Sequence, residues 1–442
     1  MFVVLAALLG LLVVQAQPTS RDECPEYPSG SYQESLKLLV QVDENNVADW
    51  STLNGFDWKG YGATWFNVLI TSPTFVKVFN RAELLGLLSD ESLAEIVKRS
   101  GPNGPEMEQV AGLMDVPLKY VACFTFFYEI AGGCTASVAN GHDGTMVHGR
   151  NMEYEEFSMS VYELDATVIF VDPKGDELYV CQTWIGMVGC TTGMSKDKFS
   201  VNINQRYTGE DTVEQMMKNL ESVATQPAGS SWGYGFFFRD QLFQPGNTFD
   251  AFSAKIVEVG DAHQFVNGAY VTAAGTTHGQ GAIHMTPNQD PGEGQFTTTR
   301  VARIGGTNDV SLTQCGSTWC FQTNQDDLTA KTTFNGKAVK PSEQFRSIGG
   351  RDNLKAALAE CPAMTPQLMV EKVQEKCPTM IVCGPKECTP SSFVTVQTMG
   401  MNAATGYYKG MGVQNPKNHR TWGSRVPWGP PAECPAGRKA SC

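Results

Sequence analysis

The apolar pattern of this chain changes character at Cys134, and that change constrains the fold more than any other feature. Upstream, residues 31–130 read as mainly helical. Leu84, Leu85, Leu87, Leu88, Leu93 and Ile96 recur at near-helical spacing, with Ser89-Asp90-Glu91-Ser92 as a cap-like break among them. Residues 100–105, rich in Gly and Pro, read as a loop, and residues 106–113 as a further helix. From Cys134 onward strand signals take over. Thr135-Ala136-Ser137-Val138-Ala139 and Thr145-Met146-Val147-His148-Gly149-Arg150 flank Gly141-His142-Asp143-Gly144, a hairpin signal. Further strands are predicted over 166–171, 177–183, 199–204 and 319–323, and helices over 211–224 and 351–360. A helical part followed by mixed sheet and helix is an α+β arrangement.

Apolar residues make up 41% and charged residues 18%, enough apolar material for a sizeable core. The net charge of −13 repels polynucleotides, so no nucleic-acid partner is expected. Residues 1–16 are nearly all apolar, and Val14-Gln15-Ala16 offers a small-residue site before Gln17. This stretch reads as a signal peptide, too short to span a bilayer. The expected destination is the lysosome or the extracellular space. Thirteen cysteines fit such an oxidising compartment, and their odd number leaves at least one without a partner in the chain. Cys361, Cys377, Cys383, Cys388, Cys434 and Cys442 lack paired CxxC spacing, so disulfides are favoured over zinc; no metal or cofactor is expected. Cys383 and Cys388 are close enough in sequence to pair locally. Residues 415–442, rich in Pro, Gly, Arg and Cys, read as an irregular, disulfide-tied tail.

The strongest chemical signal is Gly132-Gly133-Cys134-Thr135-Ala136-Ser137 followed by His148-Gly149-Arg150-Asn151-Met152-Glu153. A cysteine opens a strand after a flexible Gly-Gly, and the hairpin brings Arg150 and Glu153 back towards it. A cation beside a thiol favours the nucleophilic thiolate, and a carboxylate nearby could hold an ammonium group. Taken alone, Cys134 fits a disulfide partner as well.

The order of motifs resembles the acid ceramidase and N-acylethanolamine acid amidase family. Phe126-Phe127-Tyr128-Glu129, Cys134-Thr135 and His148-Gly149-Arg150-Asn151-Met152 carry the likeness. So do Gly112–Leu118 upstream and, downstream, Trp184–Gly189 with Gly193, Phe199–Arg206, Gly292-Glu293-Gly294 with Thr299-Arg300, and Gln322–Asp326. The resemblance implies a cysteine N-terminal-nucleophile hydrolase with an αββα sandwich, preceded by a mainly helical α subunit. It implies that the precursor cuts itself between Gly133 and Cys134. Residues 17–133 would form the α subunit and residues 134–414 the catalytic β subunit, continued by the tail. By the same resemblance Cys134, Arg150, Glu153, Asn324 and Arg351 are catalytic, with Asn324 at the oxyanion site. Gln205, Met152 and Trp184 are expected to contact substrate, and Cys24 to join the two subunits through Cys361. The expected partner is an N-acylated lipid, ceramide first and N-acylethanolamine second, met at a membrane surface or on a lipid-presenting activator.

Three positions depart from the family. Glu153 stands where the family has Asp, and the extra methylene moves the carboxylate. Gln205 stands where the family has Glu, so a charge is lost. Arg351 competes with Arg346 for the arginine that follows the Asn324 strand. An acylase of another N-acyl compound is an alternative, and the changes at Glu153 and Gln205 permit a lipid-binding protein without catalysis. Phe236-Phe237-Phe238 and Trp232 fit core packing as well as a lipid entrance, and His278 and His284 read as solvated loop residues.

Overall fold

A computed structural model describes residues 32–53, 55–126, 133–154, 164–206, 233–288, 297–306, 314–324, 333–334, 337–338, 341–362, 364–374 and 394–413. The signal-peptide stretch, Cys24, Cys383, Cys388, Trp232, Gly292-Glu293-Gly294, the helix expected over 211–224 and the tail lie outside the described residues.

The described residues begin with strands β1 (Tyr32–Glu34), β2 (Leu36–Val42) and β3 (Ala48–Asp49). Five helices follow: α1 (Trp58–Thr71), α2 (Pro73–Leu84), α3 (Asp90–Arg99), α4 (Asn103–Met114) and α5 (Leu118–Thr125). The helical reading of residues 31–130 is thus corrected at its start. In β2, Leu38, Val40 and Val42 are buried while Leu39 is exposed, a period of two that specifies a strand. The cap-like break is a cap: the Ser89 hydroxyl accepts from the Ser92 amide at the start of α3, with Asp90 and Glu91 in the first turn and Lys98 and Arg99 in the last. The loop expected over 100–105 is shorter than the sequence implied. Helix α4 starts at Asn103, where Pro105 in the first turn lacks only an amide that has no helical partner there.

Downstream come β4 (Gly133–Asn140), β5 (Met146–Tyr154), β6 (Asp165–Val171), β7 (Glu177–Trp184), β8 (Thr192–Ser195) and β9 (Phe199–Gln205). Helices α6 (Tyr234–Phe243) and α7 (Phe249–Asp261) precede β10 (Ala269–Ala274), β11 (Gly281–Met285), β12 (Arg300–Arg303) and β13 (Trp319–Gln322). The short pair β14 (Thr333–Phe334) and β15 (Lys337–Ala338) leads to α8 (Pro341–Glu360) and α9 (Pro366–Met369), and β16 (Val394–Asn402) and β17 (Tyr407–Val413) close the described chain.

Two sheets organise these strands. One has six strands in the order β1-β17-β16-β5-β4-β13, the other nine in the order β12-β11-β10-β9-β8-β7-β6-β2-β3. They pack face to face. Val138 and Met146 of the first meet Tyr270, Ile283 and Met285 of the second, and Met399, Met401 and Tyr408 meet Ile169, Val180 and Met194. Outside the nine-stranded sheet lie α6, α7 and the N-terminal helices, whose Trp65, Phe124, Phe238 and Phe252 share one core with Val168, Val201 and Ile203. Outside the six-stranded sheet, Leu354, Ala357 and Met369 of α8 and α9 cover Ala139, Val147 and Phe321. Helix, sheet, sheet and helix make four layers, the αββα order that the resemblance implied.

The residues before Cys134 are woven into both sheets. β1 pairs antiparallel with β17, and β2 pairs parallel with β6 from Leu36–Ala166 to Gln41–Val171. A buried ion pair adds to this: Arg239 of α6 contacts both oxygens of Glu106 of α4 at 2.7 and 2.9 Å, with both side chains fully buried. Ala48 N and Trp50 Nε1 donate to the same carboxylate. Burial opposes the charge on Arg239, but Glu106 and Tyr179 outweigh it and raise its pKa.

Two disulfides occur among the described residues, Cys181–Cys190 and Cys315–Cys320, neither singled out in the sequence. Cys361, the expected partner of Cys24, is buried just beyond α8.

Candidate active site

The hairpin forms as expected, with β4 and β5 in an antiparallel register that sets Cys134 opposite Met152, Ala136 opposite Arg150 and Gly133 opposite Glu153. Alternation then sorts the side chains. Cys134, His148, Arg150 and Met152 point into the space between the sheets. Thr135, Asn151 and Glu153 point to the helix layer outside, where Asn151 Nδ2 donates to the Gln374 carbonyl at 2.8 Å.

Arg150 spans the gap between the sheets and is fully buried. Its Nη2 donates to Cys134 Sγ at 3.0 Å and to the Ile203 carbonyl of β9 at 2.9 Å. Its Nη1 donates to the Thr192 hydroxyl of β8. A guanidinium donating to sulfur stabilises thiolate over thiol.

Asn324, just after β13, approaches from the other side of the nucleophile candidate. Its Oδ1 accepts from the Cys134 backbone amide at 2.9 Å, and its Nδ2 donates to the Gln205 carbonyl at 2.6 Å. Gln205 is therefore at the site through its backbone, and its side chain is buried. The structure thus brings Cys134, Arg150, Asn324 and Gln205 together in one hydrogen-bonded set.

The remaining sequence candidates stand differently. Glu153 lies across the strand pair from Gly133 and accepts from the Thr135 hydroxyl at 3.2 Å, on the opposite face of the sheet from the thiol. Met152 is buried opposite Cys134. Trp184 ends β7 and packs its ring 5.9 Å from that of Phe124 in α5. Arg351 stands on α8 in the outer helix layer, next to Gly350, which abuts the Phe321 ring.

Sequence reasoning missed a buried polar row on the inner face of β9. His148 contacts Ser200 Oγ at 3.0 Å through Nδ1 and Asn202 Oδ1 at 2.7 Å through Nε2. Burial, opposed by the Asn202 hydrogen bond and assisted by the Arg150 charge, pushes His148 down to about 3. It is a neutral imidazole at any mildly acidic pH. The signal was present in Ser200, Asn202 and Asn204: three polar residues alternating with Phe199, Val201 and Ile203 mark a polar face that turns out to be buried. His284 also departs from its reading as a solvated loop residue. It is fully buried on β11, 2.6 Å from Ser253 Oγ, because its strand is covered by α7. His278 is a loop residue, as expected, 2.9 Å from the Gly141 carbonyl. Phe236, Phe237 and Phe238 are core residues of α6.

No family model matches the chain. Human acid ceramidase is 26% identical over 232 residues, which cover 47% of this chain and 55% of that protein. The N-acylethanolamine-hydrolyzing acid amidase of Rattus norvegicus is 30% identical over 124 residues, 27% of this chain and 34% of that one. The solved structure of a Caenorhabditis elegans N-acylethanolamine-hydrolyzing acid amidase ortholog aligns with a TM-score of 0.42 at 20% identity, covering 61% of this chain and 92% of that one. Agreement that low carries no argument about the fold, which rests on the layers described above. The chain is similar to acid ceramidases and to N-acylethanolamine-hydrolyzing acid amidases, and it spans about half the length of the acid ceramidases it matches.

Proposed function

We propose that this protein is an amidohydrolase of N-acylated lipids in which Cys134, exposed as an N-terminal residue by cleavage after Gly133, is the nucleophile. The observation that carries the proposal is the pair of contacts on Cys134: Arg150 on its sulfur and Asn324 on its backbone nitrogen. Both ends of one residue are engaged by groups suited to acyl transfer. A freed α-amine has an unperturbed pKa of about 7.7–8.0, near enough to neutrality to accept the thiol proton. The thiolate attacks the amide carbonyl, the amine passes its proton to the leaving nitrogen, and water releases the fatty acid from the thioester. No histidine is needed, which suits a site whose nearest imidazole, His148, is held neutral and engaged on both nitrogens. Glu153, paired in register with Gly133, is the carboxylate we assign to the new ammonium group. Asn324 supplies a side-chain N–H to the oxyanion, a role that needs one of its two donors.

Ceramide is the first substrate, by similarity to human acid ceramidase; N-acylethanolamines are the second, by similarity to the rat amidase. The test incubates matured protein with ceramide and with an N-acylethanolamine and measures free fatty acid, beside Cys134→Ser. Release from either lipid that is lost in Cys134→Ser is expected. Release by Cys134→Ser and Cys134→Ala at the wild-type rate removes the nucleophile assignment. Binding of both lipids without release leaves a lipid-binding protein instead.

A further inference from the structure

On the basis of the amidase function above, we propose that Asn204, backed by Asn202 and His148, is a positioning residue that sets the place of Asn324 at the nucleophile. The four polar side chains form a single directed row. The Ser200 hydroxyl reaches His148 Nδ1 at 3.0 Å, and His148 Nε2 reaches Asn202 Oδ1 at 2.7 Å. Asn202 Nδ2 donates to Asn204 Oδ1 at 2.7 Å, and Asn204 Nδ2 donates to the carbonyls of Gln322 and Thr323 at 3.1 and 3.4 Å. Those are the two peptide groups immediately before Asn324. With the imidazole proton on Nε2, the His148, Asn202 and Asn204 donors all point towards the end of β13.

Geometry makes this row a brace, not general packing. Ser200, Asn202 and Asn204 occupy alternate positions of β9 in the nine-stranded sheet, while His148 and Asn324 belong with the six-stranded sheet. The row therefore crosses between sheets at the level of Cys134. Among the described residues β13 is the last strand of the six-stranded sheet, and Asn324 follows it directly. Thr323 is held from the outer face by Ser347 of α8, hydroxyl to hydroxyl at 2.5 Å, and from the inner face by Asn204. Every member of the row is fully buried; the Thr323 carbonyl also accepts from Gln322 Nε2 at 3.2 Å, so the loss of Asn204 removes the donor from the facing sheet and leaves only a local one. The least costly relaxation is a shift of the β13 exit. That shift moves Asn324 relative to Cys134, and displacements of about 1 Å at such a distance can cost on the order of 10²-fold in rate.

The test measures kcat and KM for a fluorogenic N-acyl amide with the full, matured protein. Asn204→Ala should lower kcat by about 10- to 100-fold with KM changed by less than about two-fold. Ser253→Ala is the control, an equally buried hydroxyl bonded to His284 away from Cys134, and should leave kcat unchanged. In a double-mutant cycle, Asn204→Ala should add little to the loss already caused by Asn324→Ala, because one acts through the other. If Asn204→Ala melts early, Asn204→Leu keeps most of the volume and removes the donor to the two carbonyls together with the acceptor for Asn202. An unchanged kcat in both Asn204 variants, or losses that multiply in the cycle, overturns the positioning role alone. No hydrolysis by the wild-type protein overturns the amidase function and the positioning role together.

Discussion

Arg150 ties the Cys134 thiol to the facing sheet: the same Nη2 lies 3.0 Å from Cys134 Sγ and 2.9 Å from the Ile203 carbonyl, while Nη1 meets Thr192. Charge alone does not reproduce three contacts made by one planar fork. Arg150→Lys should therefore lose on the order of 10²-fold or more in kcat/KM despite keeping a cation beside the sulfur. Steady-state kinetics with a thermal melt check this; wild-type kinetics in Arg150→Lys would show that the guanidinium is structural.

On the proposed mechanism, Asn324→Ala removes a donor to the oxyanion. We expect the chemical step to slow by about 10²–10³-fold with substrate binding largely retained. Single-turnover measurements separate the two. A rise in KM at unchanged kcat would assign Asn324 to substrate binding instead.

Extensive non-covalent contacts join the segments on either side of Gly133. β1 and β2 lie in separate sheets, and Glu106 and Arg239 are paired and fully buried across the boundary. Cleaved protein treated with reductant should still elute as one species in native gel filtration and separate only in denaturant. Arg239→Ala strands the Glu106 carboxylate and should cost about 3–5 kcal/mol in denaturant unfolding. Elution of the two pieces as separate native species would contradict the account of the boundary.

Asp165 gives the fold a pH dependence of defined sign. It is buried between the sheets, bonded by Gln182 and Gln397 at 2.6 and 2.5 Å and by the Ser35 hydroxyl. Burial, against these hydrogen bonds, pushes its carboxyl up to about 6. An unfolded Asp titrates near 3.9. Between the two values the folded state binds more protons, so this group's contribution to stability falls as pH rises through that window. The cost when fully ionised is at most about 3 kcal/mol. Asp165→Asn should therefore gain on the wild type as the melting pH moves from about 4 to about 7. A melting-temperature difference that stays constant across that range would contradict it.

Much of this site was legible in the sequence because it is local. Cys134, a turn and Arg150 lie within one hairpin, and strand alternation alone puts Arg150 on the thiol side. The same alternation puts Glu153 on the other face, a consequence readable from the spacing yet overlooked when both were simply brought near the cysteine. What was hidden depended on long-range pairing. Nothing near Asn204 announces that its amide meets the end of β13, over a hundred residues later. Residues 32–49 read as the start of a helical part because a leucine-rich stretch followed, although Leu38, Val40 and Val42 already alternate. The buried Glu106–Arg239 pair could not be anticipated, since the two residues lie 133 positions apart and no local pattern links them.

The central claim is that Cys134 acts as an N-terminal residue, and sequencing the N-terminus of the large fragment from catalytically active protein tests it most directly. The account predicts a single start at Cys134, with the smaller piece ending at Gly133. Activity in protein whose large fragment begins elsewhere, or whose chain remains uncut at Gly133–Cys134, would contradict it, because the α-amine that serves as the base would not exist.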